Sequence, residues 1–584
     1  MLGTILRQTG RYTPAAILTP VWTSLEVVMG ILLPYVTASI IDKGINAADV
    51  PAIWHYGGQL VILACFGMVF GILAGRFASY SSSGLAANLR TAMYANIRRF
   101  SFSDIDKYST AGLVTRMTTD VASVQNAFQT LLRTSFRAPL NMVSALVMCF
   151  FINARLSIIF LVAMLVLSVF LTVLITRAAR LYREIFKKYD DLNGVVQENV
   201  SAIRVVKAYA RENHEISKFD KAALSLYTLN VKAESLMALN HPVMNLTVNA
   251  CIIAISWWGA HYVVDGSLTT GQLTSLFSYI TTILGSLMML SMVFVQLTRS
   301  IASAQRIAEV IEEEPDMSNP ENPLSEVADG SIDFDHVWFS YSPGGDYALE
   351  DIDLHIRAGE TIGVIGGTGS GKSSLANLIP RFYDVSEGSV RVGGVDVREY
   401  DMRALRDKVA MVLQNNVLFS GTVADNLRWG REDATLEECR EACRQACADE
   451  FVEAMPQGYD TIIDQGGANV SGGQRQRLCI ARALIKHPKV LILDDSTSAV
   501  DTATDAAIRR TFAESLQGAT KIIISQRILS IKDADRIVVM DNGRVNGFDT
   551  HENLLKNNGI YKEIYAMQTS GGEADFDGGE GRAA

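Results

Sequence analysis

The chain is short of positive charge, of paired cysteines and of any leader pattern. Of its 584 residues, 52 are Lys or Arg and 62 are Asp or Glu, for a net charge of −10. That balance excludes a basic nucleic-acid binder as the default, and no nucleic-acid partner is expected. The seven cysteines include no CxxC pair. Cys439, Cys443 and Cys447 recur every four residues, as small apolar residues on one helix face do, whereas a zinc site prefers paired spacing. No disulfide framework is implied. No signal-peptide pattern precedes the first apolar stretch, so cleavage is not expected.

Charge is also missing from long runs of the first half. Ala138–Ala154 and Leu156–Thr176 hold none, with only Arg155 between them, and Pro242–Val264 and Gly266–Thr298 are parted only by Asp265. A bilayer core needs about 20 mostly apolar residues per helix. With Pro14–Ile41 and the flanked stretch Gln59–Arg76, six membrane helices are expected in residues 1–310. The mean hydropathy of +0.18 averages two unlike halves. Residues 1–309 hold 25 Lys/Arg against 16 Asp/Glu, and the remainder 27 against 46. Arg7, Arg11, Arg90, Arg98, Arg99, Lys107, Arg116, Arg133 and Arg137 precede helix 1 or lie between helices 2 and 3. Their placement sets the N-terminus and both long loops on the cytoplasmic side. Segments such as Leu85–Phe100 and Tyr182–Tyr209 keep helical spacing, so helices 2 to 5 are expected to run on into the cytosol.

The second half carries the chemistry. Ile311–Gly330, with Glu312-Glu313-Glu314-Pro315, reads as a linker. The buried-strand pattern Thr361-Ile362-Gly363-Val364-Ile365 then leads into Gly366-Gly367-Thr368-Gly369-Ser370-Gly371-Lys372-Ser373, a full P-loop ahead of a helical run from Ser374. Glycines let backbone N–H groups close around phosphates, and the helix N-terminus adds a favourable dipole. Lys372 is placed for the β/γ-phosphates and Ser373 for Mg²⁺. A second strand pattern, Val490-Leu491-Ile492-Leu493, ends in Asp494, a Walker B acid for the Mg²⁺. Between the two stands Val470-Ser471-Gly472-Gly473-Gln474.

These motifs closely resemble those of the ATP-binding cassette (ABC) family, and the resemblance covers nearly the whole chain. It implies the exporter (type IV) half-transporter: a membrane α-helical domain of six helices with cytosolic extensions, then an α/β P-loop nucleotide-binding domain over 331–570. Residues 571–584 read as a disordered acidic tail. By the same resemblance Tyr341 matches the aromatic that stacks on adenine, Gln414 the glutamine that senses Mg²⁺ and water, and Asp501 the D-loop acid. Val470-Ser471-Gly472-Gly473-Gln474 matches the signature, which caps the ATP held by an opposite cassette, so a second half-transporter is implied. Ser103–Thr110 and Arg211–Phe219 match the two coupling helices.

Two departures stand out. Family members with active sites usually carry Glu directly after the Walker B acid, where this chain has Asp495, and His in the switch loop, where it has Gln526. Asp is one methylene shorter, about 1.5 Å, and Gln carries no proton in catalysis. ATP is thus expected to bind and turn over slowly, while the signature serves a partner's competent site. That makes the chain the degenerate half of a heterodimer, whose partner has a degraded signature. A GERG-like run usually precedes the signature, and Asp464-Gln465-Gly466-Gly467 stands there. Multidrug, lipid-like or peptide-like amphiphiles are the expected cargo, in contact with membrane lipids of a bacterial-type inner (cytoplasmic) membrane. Glu26, Trp257, Met288 and Met292 are candidate cavity residues; an ionisable group deep in a membrane helix is a functional candidate. Arg133 and Arg137 read first as positive-inside anchors. A homodimer, an importer reusing the fold and an ATP-gated regulator stay open.

Overall fold

The computed structural model describes residues 1–342, 344–495 and 502–573. They form two compact units, Met1–Arg99 with Ser109–Glu313, and Phe100–Tyr108 with Glu314 onward.

The first unit is helical. Six helices are long and apolar enough to cross a membrane: Gly10–Ile45, Val50–Ile97, Thr110–Ile152, Ala154–Ser201, Glu212–Val264 and Thr270–Phe294. The helices Val50–Ile97 and Ala154–Ser201 each run 48 residues, at 1.5 Å per residue about 70 Å. Both exceed a bilayer core and match the expected extensions. Their ends are chemically marked. Asn153, in extended backbone, accepts from the N–H groups of Arg155 and Leu156 at 3.1 Å each, so one residue separates two helices. Thr269 and Gln272 form a capping box at the start of Thr270–Glu312. Within the apolar first helix, Thr19 and Thr23 donate to the carbonyls four residues back at 2.9 Å each, which satisfies their hydroxyls without water.

The cytosolic loops differ in part from expectation. The first coupling segment folds as the helix Phe102–Tyr108 and packs with the second unit. Arg211–Phe219 is not a separate helix. Arg211 caps the long helix Glu212–Ala238, whose first turn carries Glu212 and Glu215, charges that favour a helix start. The short separate helix is Ile203–Ala208.

The second unit holds two main sheets. One orders Leu349–Ile356, Ile332–Phe339, Glu387–Val392 and Val395–Asp396 as antiparallel strands. The other runs Arg544–Asp549, Arg536–Asp541, Thr361–Gly366, Thr520–Ile524, Val490–Asp494 and Val409–Val412, parallel apart from the first edge strand. The inner strands Thr361–Gly366, Thr520–Ile524 and Val490–Asp494 are mostly apolar, as strands covered on both faces are. Ile524 lies opposite both Val364 and Asp494, so the segments after these strands leave one edge of the sheet side by side. Cys439 and Cys443 are fully buried in the surrounding core, the packing role their spacing suggested, whereas Cys447 lies beyond the helix Leu436–Gln445 in left-handed backbone at φ +53° and does not share its face.

Candidate functional site

The glycine loop Gly366–Gly371 joins the strand Thr361–Gly366 to the helix Lys372–Leu378. Two of its glycines are required by space. A Cβ on Gly366 would lie 2.2 Å from the carbonyl oxygen of Met540, and one on Gly371, at φ +95°, 2.8 Å from Leu349 and 2.9 Å from the Ala348 oxygen. Around Gly367 and Gly369 a Cβ would meet nothing, so that side of the loop is free for a ligand to approach. Lys372 Nζ donates to the carbonyls of Gly366 at 3.0 Å and Gly367 at 2.6 Å. Burial holds its pKa below the ordinary lysine value, against the attraction of Asp494 and Asp495. Thr368, Ser370 and Ser374 complete the loop and helix start, and Ser374 is buried.

Ser373 Oγ donates to Asp494 Oδ1 at 3.1 Å. A hydroxyl and a carboxylate converging beside a phosphate loop are the hard oxygen donors that Mg²⁺ takes, so these residues fit that ion. Burial raises the Asp494 pKa, Asp495's charge raises it further, and the Ser373 hydrogen bond opposes both.

Asp495 stands in left-handed backbone at φ +46°, with its N–H bonded to the Ile524 carbonyl at 3.0 Å. The two departures noted in the sequence meet: Gln526 Nε2 donates to Asp495 Oδ2 at 3.2 Å. Their separation of 31 positions is bridged by the strand pairing of Ile524 with Asp494.

Tyr341 is half exposed at 46%, and its hydroxyl pairs with that of Ser374 at 2.8 Å. Its ring meets Tyr383 edge-on at 5.1 Å, and the Tyr383 hydroxyl donates to Asp106 of the Phe102–Tyr108 helix at 2.8 Å. Phe102 stacks on Phe382 at 4.5 Å. A cavity of about 560 Å³ beside Tyr341 is lined also by Ser103, Gly344, Gly345 and Tyr383. Sequence reasoning missed this junction, because nothing in the spacing of Asp106 and Tyr383 marks a pair 277 residues apart. Gln414, on the exposed loop after Val409–Val412, is not brought against the acidic pair by any hydrogen bond among the described residues.

The signature is a helix start. Ser471 caps Gly472–Leu484, accepting from Gln474 N–H at 3.3 Å while its own N–H donates to Gln474 Oε1 at 2.9 Å. Serine with glutamine three residues on is a capping box, and Gly472 and Gly473 leave the first two helical positions without side chains. Val470 is buried at 7%. Asp464 and the following Gln465–Gly467 turn lie just before it. Asp501 lies outside the described residues.

In the membrane unit Glu26 is drawn inward, its side chain 13% exposed, and pairs with Arg137 at 3.1 Å. Arg137 thus has a specific partner beyond the anchoring role that its charge suggested. A Cβ on Gly71 would lie 3.2 Å from the Glu26 carboxyl carbon, and one on Gly75 3.4 Å from Arg133 Nη1. Residues four apart share a helix face, so both charged groups lie against one glycine face. Glu26 Oε2 is buried without a hydrogen-bond partner among the described residues. Trp257 and Met292 are exposed at 69% and 60%, and Met288 is half buried.

Comparisons with known proteins converge. Residues 17–287 match the ABC transporter transmembrane region and residues 349–498 the ABC transporter domain. An uncharacterized ABC transporter ATP-binding protein of Bacillus subtilis, YfiB, is 36% identical over 543 residues, covering 93% of this chain and 94% of its own. The ATP-dependent lipid A-core flippase of Desulfotalea psychrophila is 33% identical over 543 residues, covering 91% and 93%. The solved structure of a bacterial Atm1-family ABC exporter with ATP bound matches with a TM-score of 0.80 at 25% identity, over 96% of this chain and 99% of that one.

Proposed function

The chain belongs to the ABC transporter family as a multi-pass, exporter-fold half-transporter with an ATPase domain, and from that premise we propose that it is the slow-site half of a heterodimeric, ATP-driven exporter. The observation that carries the reading is the 3.2 Å hydrogen bond from Gln526 to Asp495. A carboxylate that must take a proton from the attacking water is here shortened by a methylene and engaged by an amide. General-base help typically supplies about 10²–10⁴-fold, and it depends on reach and geometry.

The remaining residues suit holding nucleotide. Tyr341 stacks on adenine; the Gly366–Gly371 loop and Lys372 grip the phosphates; Ser373 and Asp494, with Gln414, hold Mg²⁺. That ion supplies charge neutralisation to the phosphates. Val470–Gln474 offers its helix N-terminus to the ATP of the partner, and Asp501 is read by resemblance as the D-loop acid. Exporters of this family work as dimers, so two unlike cassettes give one competent and one retaining site.

The test is to purify the chain alone and with the half-transporter encoded beside it. We expect brisk ATPase only from the pair. Brisk ATPase from the chain alone sinks the heterodimer and leaves the homodimer. ATP-dependent gating of a partner without any flux identifies a regulator.

The cargo reading is a lipid-like or other amphiphile that bears an anion. Arg133 is half buried and forms no hydrogen bond or ion pair among the described residues, beside the Glu26–Arg137 pair, and one relative is named a lipid A-core flippase. Arg133→Gln should weaken stimulation of ATPase by an anionic amphiphile and spare that by a neutral one. Equal loss of both excludes the anion contact, and uptake into cells in place of efflux identifies an importer. The expected setting is a bacterial-type inner membrane with the cassette in the cytoplasm.

A further inference from the structure

The switch loop is held from outside the nucleotide site. It leaves the strand Thr520–Ile524, passes Gln526 and turns through Ile528–Ser530. Its end is tied by Ser530 to Asp505 at 3.2 Å and by Arg509 to the Leu529 carbonyl at 3.1 Å. Its centre is tied by one residue of the C-terminal helix Gly559–Glu573. Gln568 Nε2 donates to the Gln526 carbonyl at 2.7 Å, and Gln568 Oε1 accepts from the Ile528 N–H at 2.9 Å. A primary amide offers a donor and an acceptor on separate atoms at one end, and this pair of bonds uses both.

The helix is a firm base for such a clamp. Tyr561, Ile564, Tyr565 and Gln568 fall on one face by their spacing. Tyr561 is fully buried, Ile564 and Tyr565 pack on the same core, and the Tyr561 hydroxyl meets His551 Nδ1 at 2.6 Å. That face seats the helix, and its last position reaches the backbone on both sides of Arg527.

We propose that Gln568 is a positioning residue for ATP turnover, holding the main chain of the switch loop, and with it the Gln526 amide, at the nucleotide site, where that amide can donate to a bound phosphate. The inference rests on the reading of Gln526 as the switch residue. Among the described residues Gln568 makes no hydrogen bond to the Gly366–Gly371 loop or to Tyr341, so its loss acts on the turnover step and leaves nucleotide binding by Lys372 and Tyr341 in place.

The test uses the full transporter in nanodiscs, in an Asp495→Glu background, with turnover resolved by labelled nucleotide trapped in each chain. Gln568→Glu keeps the acceptor for Ile528 and loses the donor to Gln526; Gln568→Met keeps the length and loses both. We expect both variants to lower kcat at this chain's site about threefold to tenfold, the scale of one or two modest hydrogen bonds, with KM for ATP unchanged. Amide exchange across residues 523–530 should rise in Gln568→Met and less in Gln568→Glu. Unchanged exchange in Gln568→Met, or raised exchange with unchanged kcat, overturns the clamp. Gln526→Ala is measured alongside. If it alters turnover while Gln568→Met does not, the clamp alone fails; if it alters nothing, the switch reading fails and the clamp falls with it.

Discussion

The cassette offers two faces to nucleotide, and they keep their chemistry unequally. On the phosphate-holding face Lys372, Ser373 and Asp494 converge at the glycine loop, yet the two positions read as activating water are a short carboxylate and an amide bonded to each other. On the signature face the helix start is complete, with Ser471 and Gln474 capping reciprocally. Holding ATP asks for backbone N–H groups and fixed charges, which tolerate small side-chain changes. Splitting it asks for a base at one distance, which does not. A chain can therefore lose the second capacity and keep the first.

The sharpest way to break this contrast is to damage each face in turn within the assembled pair. Ser471→Arg, which fills the helix start, should lower transport-coupled ATPase about 10²-fold or more, while Asp495→Asn should change it less than about twofold. Equal losses from both would mean that both sites turn over. Next in size, Asp495→Glu with Gln526→His should raise turnover at this chain's own site about 10-fold or more, with each single change giving less because the two side chains touch. No gain in trapped ADP would mean that something other than these residues slows the site. The smallest effect belongs to binding. Tyr341→Ala should weaken ATP retention here by several-fold, in line with about 0.5–1.5 kcal/mol for an aromatic stack. An unchanged titration would show that the adenine sits elsewhere.

Much of this was legible in residue order alone. The six spans follow from charge-free runs, and the P-loop, Walker B strand and signature are local patterns whose geometry is dictated within a dozen residues. The contact of Asp495 with Gln526 was legible as two departures but not as a touch, since it depends on how strands 30 residues apart pair. Pairs built wholly by tertiary packing left no trace: Glu26 with Arg137, Tyr383 with Asp106, Gln568 with the switch loop. Each joins a common residue type to a distant one, and neither member breaks a local rule. Arg211–Phe219 was expected as a separate short helix, but Glu212 and Glu215 start the long helix Glu212–Ala238 there.

The left-handed backbone of Asp495 bears on how such a site could ever change back. Among residues with side chains, Asp and Asn enter that conformation with least strain, because a short polar group can hydrogen-bond locally. The shorter acid is thus the easier occupant of this turn, whatever it does to the rate. Drift from glutamate to aspartate here runs downhill for the fold, and the reverse step must regain activity against the preference of its own main chain. On the proposed heterodimer the position acts as a ratchet, and a chain that has crossed it depends on a second subunit for its power stroke.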